Sequence, residues 1–244
     1  MREDRYDDPA FFAKYSQMPR SQYGLEAAGE WETLRALLPD FAGRRVLDLG
    51  CGYGWHCGYA AARGAAEVLG LDSSARMIAE AGRRNPADVI RYEVCDLLDY
   101  AYPAARWDLV VSNLVLHYVE NLDAVYEKVL ATLKPGGAFL FNIEHPVFTA
   151  GVQEEWITDE AGRPLYWPVD NYFYPGLRQT VFLGQEVPKY HHTLTQILGG
   201  LLRAGFVLEA VEEALPAPET LAVPGMRDEM RRPMMLLVRA GKPV

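Results

Sequence analysis

The hydrophobic residues of the chain form short apolar runs that are separated, in most cases, by segments of helical period. The strand-like runs lie at residues 45–49, 67–71, 89–94, 107–112 and 138–143. Segments in which apolar residues recur every three or four positions lie at 55–62, 73–84 and 122–133. This alternation predicts right-handed crossovers and a parallel sheet that is buried on both faces.

The pattern changes after the fifth predicted strand. Residues 144–190 carry many aromatic side chains among prolines, glycines and acids, and they show no helical period. A long segment of this kind inside a compact domain is usually functional, so we predict an insertion outside the sheet that roofs a binding pocket. A helix at 191–204 and strands at 206–211 and 233–239 then resume the core, and residues 215–232 between these strands are a second candidate cap element.

The N-terminal part of the chain is expected to be helical. Apolar positions from Ser21 to Leu38 recur at helical spacing, which predicts one amphipathic helix with Trp31 in the core. Residues 1–20 lack a clean period and are expected to pack as a tail that includes Tyr15.

The size of the chain favours one domain. With 244 residues, half of them hydrophobic, the chain can bury a large core and suits a single α/β domain over residues 1–244. Within it we predict an N-terminal helical segment, a cofactor-binding core, an aromatic cap insertion and a C-terminal core. Their predicted ranges are 1–40, 41–143, 144–190 and 191–244.

Three alternating glycines follow the first predicted strand. Residues 45–55 read RVLDLGCGYGW, which places Gly50, Gly52 and Gly54 where the backbone can take positive φ and a ligand can approach the main chain. Their spacing departs from the dinucleotide fingerprint G-x-G-x-x-G. Asp48 precedes the first glycine by two residues and would repel a pyrophosphate but attract a cation. The loop therefore favours a positively charged, nucleotide-like ligand.

The chain resembles the class I S-adenosylmethionine-dependent methyltransferases. The motif at residues 46–54 carries the resemblance, together with Asp72 at the end of the second strand. Residues 94–97, 108–117 and 133–141 are similar to the family's adenine-contacting turn, fourth strand and loop into the fifth. These motifs cover the middle third of the chain, and the core is similar to the methyltransferase-11 type that includes ubiquinone and menaquinone biosynthesis methyltransferases.

The resemblance implies a Rossmann-like three-layer α/β sandwich with a mainly parallel seven-stranded sheet and an antiparallel last strand. It implies S-adenosyl-L-methionine as the cofactor, with Asp72 on the ribose hydroxyls and Asp96 on the adenine amine. Tyr15 either folds over the cofactor, as in similar methyltransferases, or only packs. The cofactor-binding residues expected on this basis are Asp48, Gly50, Cys51, Gly52, Gly54, Asp72, Ser73, Cys95, Asp96, Leu97, Ser112, Asn113 and Tyr15.

Methyl transfer requires mainly that the acceptor lone pair lies in line with the C–S bond. The acceptor must also lose a proton, for which a neutral histidine is suited near pH 7. His145 and His117 follow strands five and four; His145 is the first candidate for a general base or acceptor contact, and His117 the second. Alternatively, His145 bonds to the turn before Pro146, and His117 satisfies the backbone of the next helix. Three roles are open for Glu144: it recognises an amine, it orients His145, or it is a charge that faces solvent.

The other histidines and the cysteines give no metal or disulfide pattern. His191 and His192 are predicted on the N-terminal surface of a helix, and no converging carboxylates indicate a metal site, so no metal is predicted. The spacing of Cys51, Cys57 and Cys95 fits neither a disulfide framework nor zinc, and we expect them to be reduced and mostly buried.

The acidic composition narrows the classes of partner. A net charge of −9, a pI near 5.1 and the lack of a Lys/Arg-rich run disfavour nucleic acid. The charged first residues and the lack of a long apolar run predict no signal peptide and no membrane span, so a cytoplasmic enzyme is expected. We expect a small-molecule acceptor whose identity is open, and a homodimer is also left open.

Two other function classes are weighed against a methyltransferase. A nicotinamide-dependent oxidoreductase would carry G-x-G-x-x-G after a basic or neutral strand, and Asp48 and Gly54 argue against it. A non-catalytic cofactor-binding regulatory module would have an acceptor pocket blocked by the aromatic insertion.

Overall fold

The computed structural model describes residues 5–151 and 154–244, and its centre is a seven-stranded sheet. The strands within these ranges are β1 Arg45–Leu49, β2 Glu67–Asp72, β3 Ile90–Val94, β4 Trp107–Asn113, β5 Leu133–Glu144, β6 Ile157–Thr158, β7 Pro164–Tyr166, β8 Gly176–Phe182, β9 Gln185–His191, β10 Val207–Glu213 and β11 Met235–Gly241. The sheet order is β10-β11-β5-β4-β1-β2-β3. Strands β1 to β5 pair in parallel, whereas β11 is antiparallel to both β5 and β10. The predicted Rossmann-like fold, with the last strand antiparallel beside the sixth of the sheet, is confirmed.

The carboxyl ends of β1, β2 and β3 lie side by side. Asp48 on β1 pairs with Gly70 on β2, and Asp72 at the end of β2 pairs with Val94 at the end of β3. Strands β1 and β4 are buried along most of their length, as expected for central parallel strands covered on both faces. Side chains that follow these strands therefore meet at one edge of the sheet.

Helices cover both faces of the sheet. They are α1 Pro9–Tyr15, α2 Pro19–Tyr23, α3 Trp31–Leu37, α4 Trp55–Ala62, α5 Ala75–Arg84, α6 Leu122–Thr132, α7 Pro146–Ala150 and α8 Leu194–Ala204. On one face α6 and α8 bury residues such as Tyr126 and Leu201 against β4 and β5, and on the other face α3 and α4 bury Trp31 and Cys57. The predicted range of α4 and the predicted core position of Trp31 agree with the structure.

The predicted continuous helix from residue 21 to residue 38 is wrong. The segment is divided into α2, a 3-10 helix at Gly24–Ala27 and α3. Gly24 has φ of +74°, outside the helical region, and a Cβ there would lie 3.1 Å from the Trp55 ring. The apolar spacing was correct, but a glycine that packs closely against the next element ends the first helix.

Residues 144–190 are more regular than their sequence indicates. They lie outside the main sheet, as predicted, but they contain α7 and two hairpins, β6–β7 and β8–β9. In β9 the side chains of Val187, Lys189 and His191 are buried at every second position, a strand period that includes polar residues and was therefore missed. Residues 152 and 153 of the predicted insertion lie outside the described residues.

Two further boundaries differ from the prediction. Strand β5 begins at Leu133, so it is longer at its start than the predicted strand 138–143. Helix α8 begins at Leu194 and not at residue 191, because Thr193 and Gln196 form a capping box. His191 and His192 are consequently buried before the helix, and their predicted place on a helix surface is wrong.

The described residues contain no helix with the length and apolar character needed to span a lipid bilayer.

The adjacent glycines Gly199 and Gly200 of α8 give a test of this packing. A Cβ at Gly200 would lie 2.9 Å from the ring of fully buried Tyr126, whereas at Gly199 the nearest atom, 3.2 Å away, is the flexible end of Arg203. We expect Gly200→Ala to lower the free energy of unfolding by about 1–3 kcal/mol through overpacking. Gly199→Ala should raise it by up to about 1 kcal/mol through helix propensity. Urea unfolding measures the free energy of unfolding of both variants. If both were more stable than the wild type, the close packing of Gly200 against Tyr126 would be contradicted.

Candidate active site

The loop between β1 and α4 is held against the end of β2. The backbone N–H groups of Gly50 and Cys51 both donate to the carbonyl of Leu71, at 2.8 Å each. The three glycines have φ values of +73°, +53° and +73°. A Cβ at Gly50 would lie 2.2 Å from the Val115 side chain, whereas a Cβ at Gly52 would meet no atom within 4 Å. Gly50 is thus required by packing, and Gly52 borders open space in which a ligand can approach the backbone.

Gly54 is also required by packing. It has a left-handed conformation at the N-cap of α4, and a Cβ there would lie 2.4 Å from the Tyr92 hydroxyl. Of the three glycines, Gly52 alone leaves room beside the loop. That position fits a cofactor laid across the strand ends.

Asp72 joins the glycine loop to the start of α5. One carboxylate oxygen accepts from the backbone N–H of Gly52 and the other from that of Ser74, each at 2.9 Å. Ser73 is exposed in the same turn. Asp7 in the N-terminal segment accepts a hydrogen bond from the Ser74 hydroxyl at 2.7 Å. This segment therefore also lies beside Asp72, the residue predicted to bind the ribose.

Asp48 is buried one residue before the end of β1. The Cys57 thiol donates to its Oδ2 at 3.3 Å, while Oδ1 has no partner among the described residues. Asp48 lines a small cavity together with His56 and Tyr59. Burial raises the pKa of Asp48 to about 7, because the charged carboxylate loses its hydration.

Asp96 follows β3 and completes the row of acids. Its Oδ1 accepts from the backbone N–H of Leu98 at 2.9 Å, and the Cys95 N–H donates to the Asp72 carbonyl at 2.9 Å. Leu97 packs against the hydrophobic core. Asp48, Asp72 and Asp96 thus lie at the same edge of three adjacent strands, as the sequence predicted.

The end of β4 contributes a polar network. The Ser112 hydroxyl donates to the Leu49 carbonyl at 3.1 Å. The Asn113 amide accepts from Asn142 at 2.9 Å and donates to the buried carboxylate of Glu30 at 3.2 Å, which also accepts from Arg20 at 2.8 Å. Sequence reasoning missed Arg20 and Glu30 because only the fold brings the N-terminal helices to this strand end.

Tyr15 lies over the glycine loop. Its ring centroid is 5.8 Å from that of Tyr53, which is part of the loop, and 5.1 Å from that of Tyr6. The hydroxyl of Tyr6 lies 3.4 Å from that of Tyr118 after β4. Tyr6 and Tyr118 were not predicted, and we call Tyr6, Tyr15 and Tyr118 the tyrosine group.

His145 has both ring nitrogens in hydrogen bonds. Nδ1 accepts from the Val147 N–H at 3.0 Å, which caps α7, and Nε2 lies 2.9 Å from a carboxylate oxygen of Glu213. Because Nδ1 accepts, Nε2 carries the proton and donates to Glu213. Burial lowers the pKa of His145 against the opposing effect of Glu213. The predicted alternative was a bond to the turn before Pro146, whereas the bond in the structure is to Val147, the residue after it.

His117 is also buried, but unlike His145 it has a ring nitrogen without a hydrogen-bond partner in the described part of the molecule. It lies in the 3-10 helix Leu116–Tyr118, is 3% exposed, and its Nδ1 has no partner among the described residues. Burial lowers the pKa of His117 well below its usual value, and the charge of Lys189 and the nearby His192 add to the effect. Its ring is 4.4 Å from that of Tyr118.

Glu144, at the end of β5, neither faces solvent nor bonds to His145. Its Oε1 accepts from the ammonium of Lys189 at 2.6 Å, and Lys189 also donates to Glu154 at 3.1 Å. We call Glu144, Glu154 and Lys189 the cap cluster. Lys189 and Glu154 were missed because their pairing depends on the β8–β9 hairpin.

His191 and His192 are held by hydrogen bonds to other parts of the chain. His191 Nδ1 lies 2.7 Å from the Thr149 hydroxyl, and His192 Nε2 lies 2.8 Å from the Val119 carbonyl. In residues 5–151 and 154–244 no three His, Cys, Asp or Glu side chains are grouped so as to hold a metal ion. The three cysteines are free thiols there, with Cys51 and Cys57 buried.

Comparison with known proteins agrees with this geometry. Residues 47–141 match the family model of a methyltransferase domain. A solved structure from Listeria monocytogenes, described as a candidate S-adenosylmethionine-dependent methyltransferase, is 49% identical, with a TM-score of 0.87 over 91% of this chain and 100% of that one. An S-adenosylmethionine-dependent methyltransferase from Mesorhizobium loti is 43% identical, with a TM-score of 0.83 over 89% and 100% of the two chains.

A relative with a named substrate matches a smaller part. The malonyl-[acyl-carrier protein] O-methyltransferase of Enterobacter lignolyticus is 38% identical over 45% of this chain and 43% of its own length. The chain therefore spans less than half of that relative.

The chain belongs to the S-adenosylmethionine-dependent methyltransferases. Its cofactor is S-adenosyl-L-methionine, and it is an enzyme of the methyl-transfer class. The open space beside Gly52 and the acids at the three strand ends fit this cofactor. Membership of this family argues against the two alternative functions, a nicotinamide-dependent oxidoreductase and a non-catalytic regulatory module.

Asp48→Asn tests the cost of the buried carboxylate. Because the folded-state pKa is raised from about 4 to about 7, ionisation of Asp48 lowers stability progressively over that interval and fully above it. We expect the variant to be more stable than the wild type near pH 8, by up to about 4 kcal/mol for a shift of about three units. The gain should shrink as the pH falls towards about 4.

Urea unfolding at both pH values measures this difference. Asp123→Asn, at an exposed site on α6, is the control and should show little change. An equal effect of Asp48→Asn at both pH values would contradict the raised pKa.

Proposed function

We propose that the chain transfers a methyl group to a small-molecule acceptor bound between the glycine loop and the segment 144–190. In this proposal Gly52 lies against the cofactor, Asp72 binds its ribose and Asp96 its adenine. The loop residues Asp48, Gly50, Cys51 and Gly54, the turn residues Ser73, Cys95 and Leu97, and the strand-end residues Ser112 and Asn113 complete the cofactor site. Tyr15 covers it. When bound, the cofactor supplies a methyl group on a positively charged sulfur.

The open space at Gly52 beside the Asp72 carboxylate carries this assignment. The N-terminal segment reaches both sides of the proposed site, because Asp7 bonds to Ser74 and Lys14 donates to the Leu183 carbonyl between β8 and β9 at 2.9 Å. These contacts support a cofactor and an acceptor that are shielded from water by one set of elements.

We infer that His117 contacts the acceptor and that His145 is structural. His145 cannot accept a proton without losing one of its two hydrogen bonds. The lowered pKa of His117 keeps its imidazole neutral, and its unpartnered Nδ1 is suited to accept a hydrogen bond. Its neighbour Tyr118 belongs to the tyrosine group that borders the proposed cofactor site.

We propose a cytoplasmic location. The acidic composition supports a small molecule, and not a nucleic acid, as the substrate. The net charge of −9 would repel a polyanion. The homodimer stays a prediction that light scattering can test.

A transfer screen tests the proposed activity. The full chain is incubated with S-adenosylmethionine and with phenols, quinol precursors, amines and carboxylates, and release of S-adenosylhomocysteine is measured. We expect release of S-adenosylhomocysteine with one of these four classes of acceptor. Binding of S-adenosylhomocysteine without turnover of any class would argue against the proposed acceptor site.

Asp72→Ala tests the proposed ribose contact. Loss of hydrogen bonds to a charged acceptor should weaken S-adenosylhomocysteine binding by about 1–3 kcal/mol. Calorimetric titration measures the affinity, and Asp72→Asn, which keeps the side-chain shape, should show a loss in the same direction. Asp99→Asn, which changes an exposed acid in the turn after β3, is the control. Wild-type affinity in Asp72→Ala would mean that the ribose lies elsewhere.

Paired histidine variants test the two roles. Asparagine at position 145 can still cap α7, so His145→Asn should retain transfer within about threefold. His117→Asn should lower kcat/KM by roughly tenfold or more, the loss of about one hydrogen bond to the reacting group. Steady-state kinetics with an acceptor from the screen measure both. A larger loss in His145→Asn would reverse the assignment.

A further inference from the structure

The cap cluster is an ion group buried between the cap and the end of β5. Lys189 donates to one oxygen of Glu144 at 2.6 Å and to one oxygen of Glu154 at 3.1 Å. The three side chains are 6%, 13% and 9% exposed, respectively. Ionic groups are rarely buried to this extent without a partner for each charge.

The cap cluster has two carboxylates for one ammonium. The nearby cation Arg232 is held by both carboxylate oxygens of Glu229, at 2.9 and 3.2 Å. The second oxygens, Oε2 of Glu144 and Oε1 of Glu154, are buried and have no hydrogen-bond donor among the described residues. Burial raises the pKa of Glu144. Burial and the neighbouring Glu144 raise the pKa of Glu154 to about 7, against the opposing charges of Lys189 and Arg232. The cluster therefore lacks one positive charge and at least two N–H or O–H donors.

A second unpartnered group lies next to the cluster. His117 is 3% exposed, its Nδ1 has no partner in the described part of the chain, and the 3-10 helix that holds it packs against β9, the strand of Lys189. Nδ1 of a neutral histidine can also accept a hydrogen bond. Three buried acceptor atoms from β5, the cap and the 3-10 helix after β4 are thus without donors.

The tyrosine group connects this cluster to the proposed cofactor site. The Tyr118 ring lies 4.4 Å from that of His117, and the Tyr118 hydroxyl lies 3.4 Å from that of Tyr6. The Tyr15 ring lies 5.1 Å from that of Tyr6 and 5.8 Å from that of Tyr53 in the glycine loop. The tyrosine group thus runs from His117 to the glycine loop.

We propose that the acceptor is an amine, and that its nitrogen lies among Glu144, Glu154, His117 and Tyr118. This inference rests on the proposed function, which places the acceptor under the segment 144–190. An ammonium supplies the missing charge and up to three N–H donors. A carboxylate or phosphate at the same place would be repelled by the excess negative charge and would add further acceptors without donors.

The chemistry of the step follows from this placement. The ammonium gives one proton to the unpartnered oxygen of Glu144, which leaves a neutral amine with a lone pair. The nitrogen forms a bond to the methyl carbon as the C–S bond breaks, and the electron pair of that bond stays on sulfur. The products are a methylated ammonium, S-adenosylhomocysteine and a protonated Glu144, which then releases its proton to water.

Matched acceptors test the chemical class. We would measure S-adenosylhomocysteine release with three sets of probes, each an amine, an alcohol and a carboxylate of the same skeleton. The sets are hexylamine, hexanol and hexanoate; benzylamine, benzyl alcohol and benzoate; and ethanolamine, ethylene glycol and glycolate. We expect at least one amine to be methylated, at a kcat/KM about tenfold or more above that of its partners. Preference for a carboxylate or an alcohol, or no methylation of any amine, would overturn the inference.

Glu144→Gln locates the amine site and separates this inference from the proposed function. The variant keeps the shape of the side chain, and it should lose amine turnover by roughly tenfold or more while S-adenosylhomocysteine affinity stays at the wild-type value. Glu127→Gln, the same change at an exposed position of α6, should leave both unchanged. An unchanged ratio of amine to alcohol turnover in Glu144→Gln would contradict the site. Failure of the wild type to bind S-adenosylhomocysteine would instead refute the cofactor site itself.

Discussion

The hydrogen bonds between the glycine loop and β2 are the constraint on which the site depends. The N–H groups of Gly50 and Cys51 share the Leu71 carbonyl, and that of Gly52 is held by the Asp72 carboxylate. Because β1 and β2 are parallel and in step, these bonds are made at the edge where the strands end. The loop is thereby fixed with one glycine facing open space, and the start of α5 is tied to the same carboxylate. The proposed cofactor site is thereby preorganised before the cofactor binds.

The elements above this edge contribute buried charge as well as apolar surface. Glu30 with Arg20, and Lys189 with two glutamates, are both enclosed by segments outside the main sheet. Burial of ion pairs costs desolvation energy and seldom increases stability. Asp48 shows the same cost in its raised pKa. Buried charges of this kind, close to the row of strand ends, support the proposed binding site.

The sheet and the row of acids at its edge could be predicted from the sequence because both depend on local patterns. Apolar runs identify the strands, and an acid after each of the first strands must reach the same edge of a parallel sheet. The cap could not be predicted in this way, since the buried period of β9 includes Lys189 and His191. Some signals were present and overlooked, such as the capping box at Thr193 and the His-Pro pair that starts α7. The partners of Lys189 and Glu30 depend on tertiary contacts between segments far apart in the chain.

The most direct measurement compares two glycines that both have a positive φ and open space at the Cβ position. Gly52 and Gly43 have φ of +53° and +70°, and a Cβ at either would meet no protein atom within 4 Å. Alanine at either position should therefore cost a similar backbone strain of about 1–2 kcal/mol. Calorimetric titration with S-adenosylhomocysteine should show binding weakened about tenfold or more in Gly52→Ala and wild-type affinity in Gly43→Ala. Equal affinities in the two variants would show that the cofactor does not lie at the glycine loop.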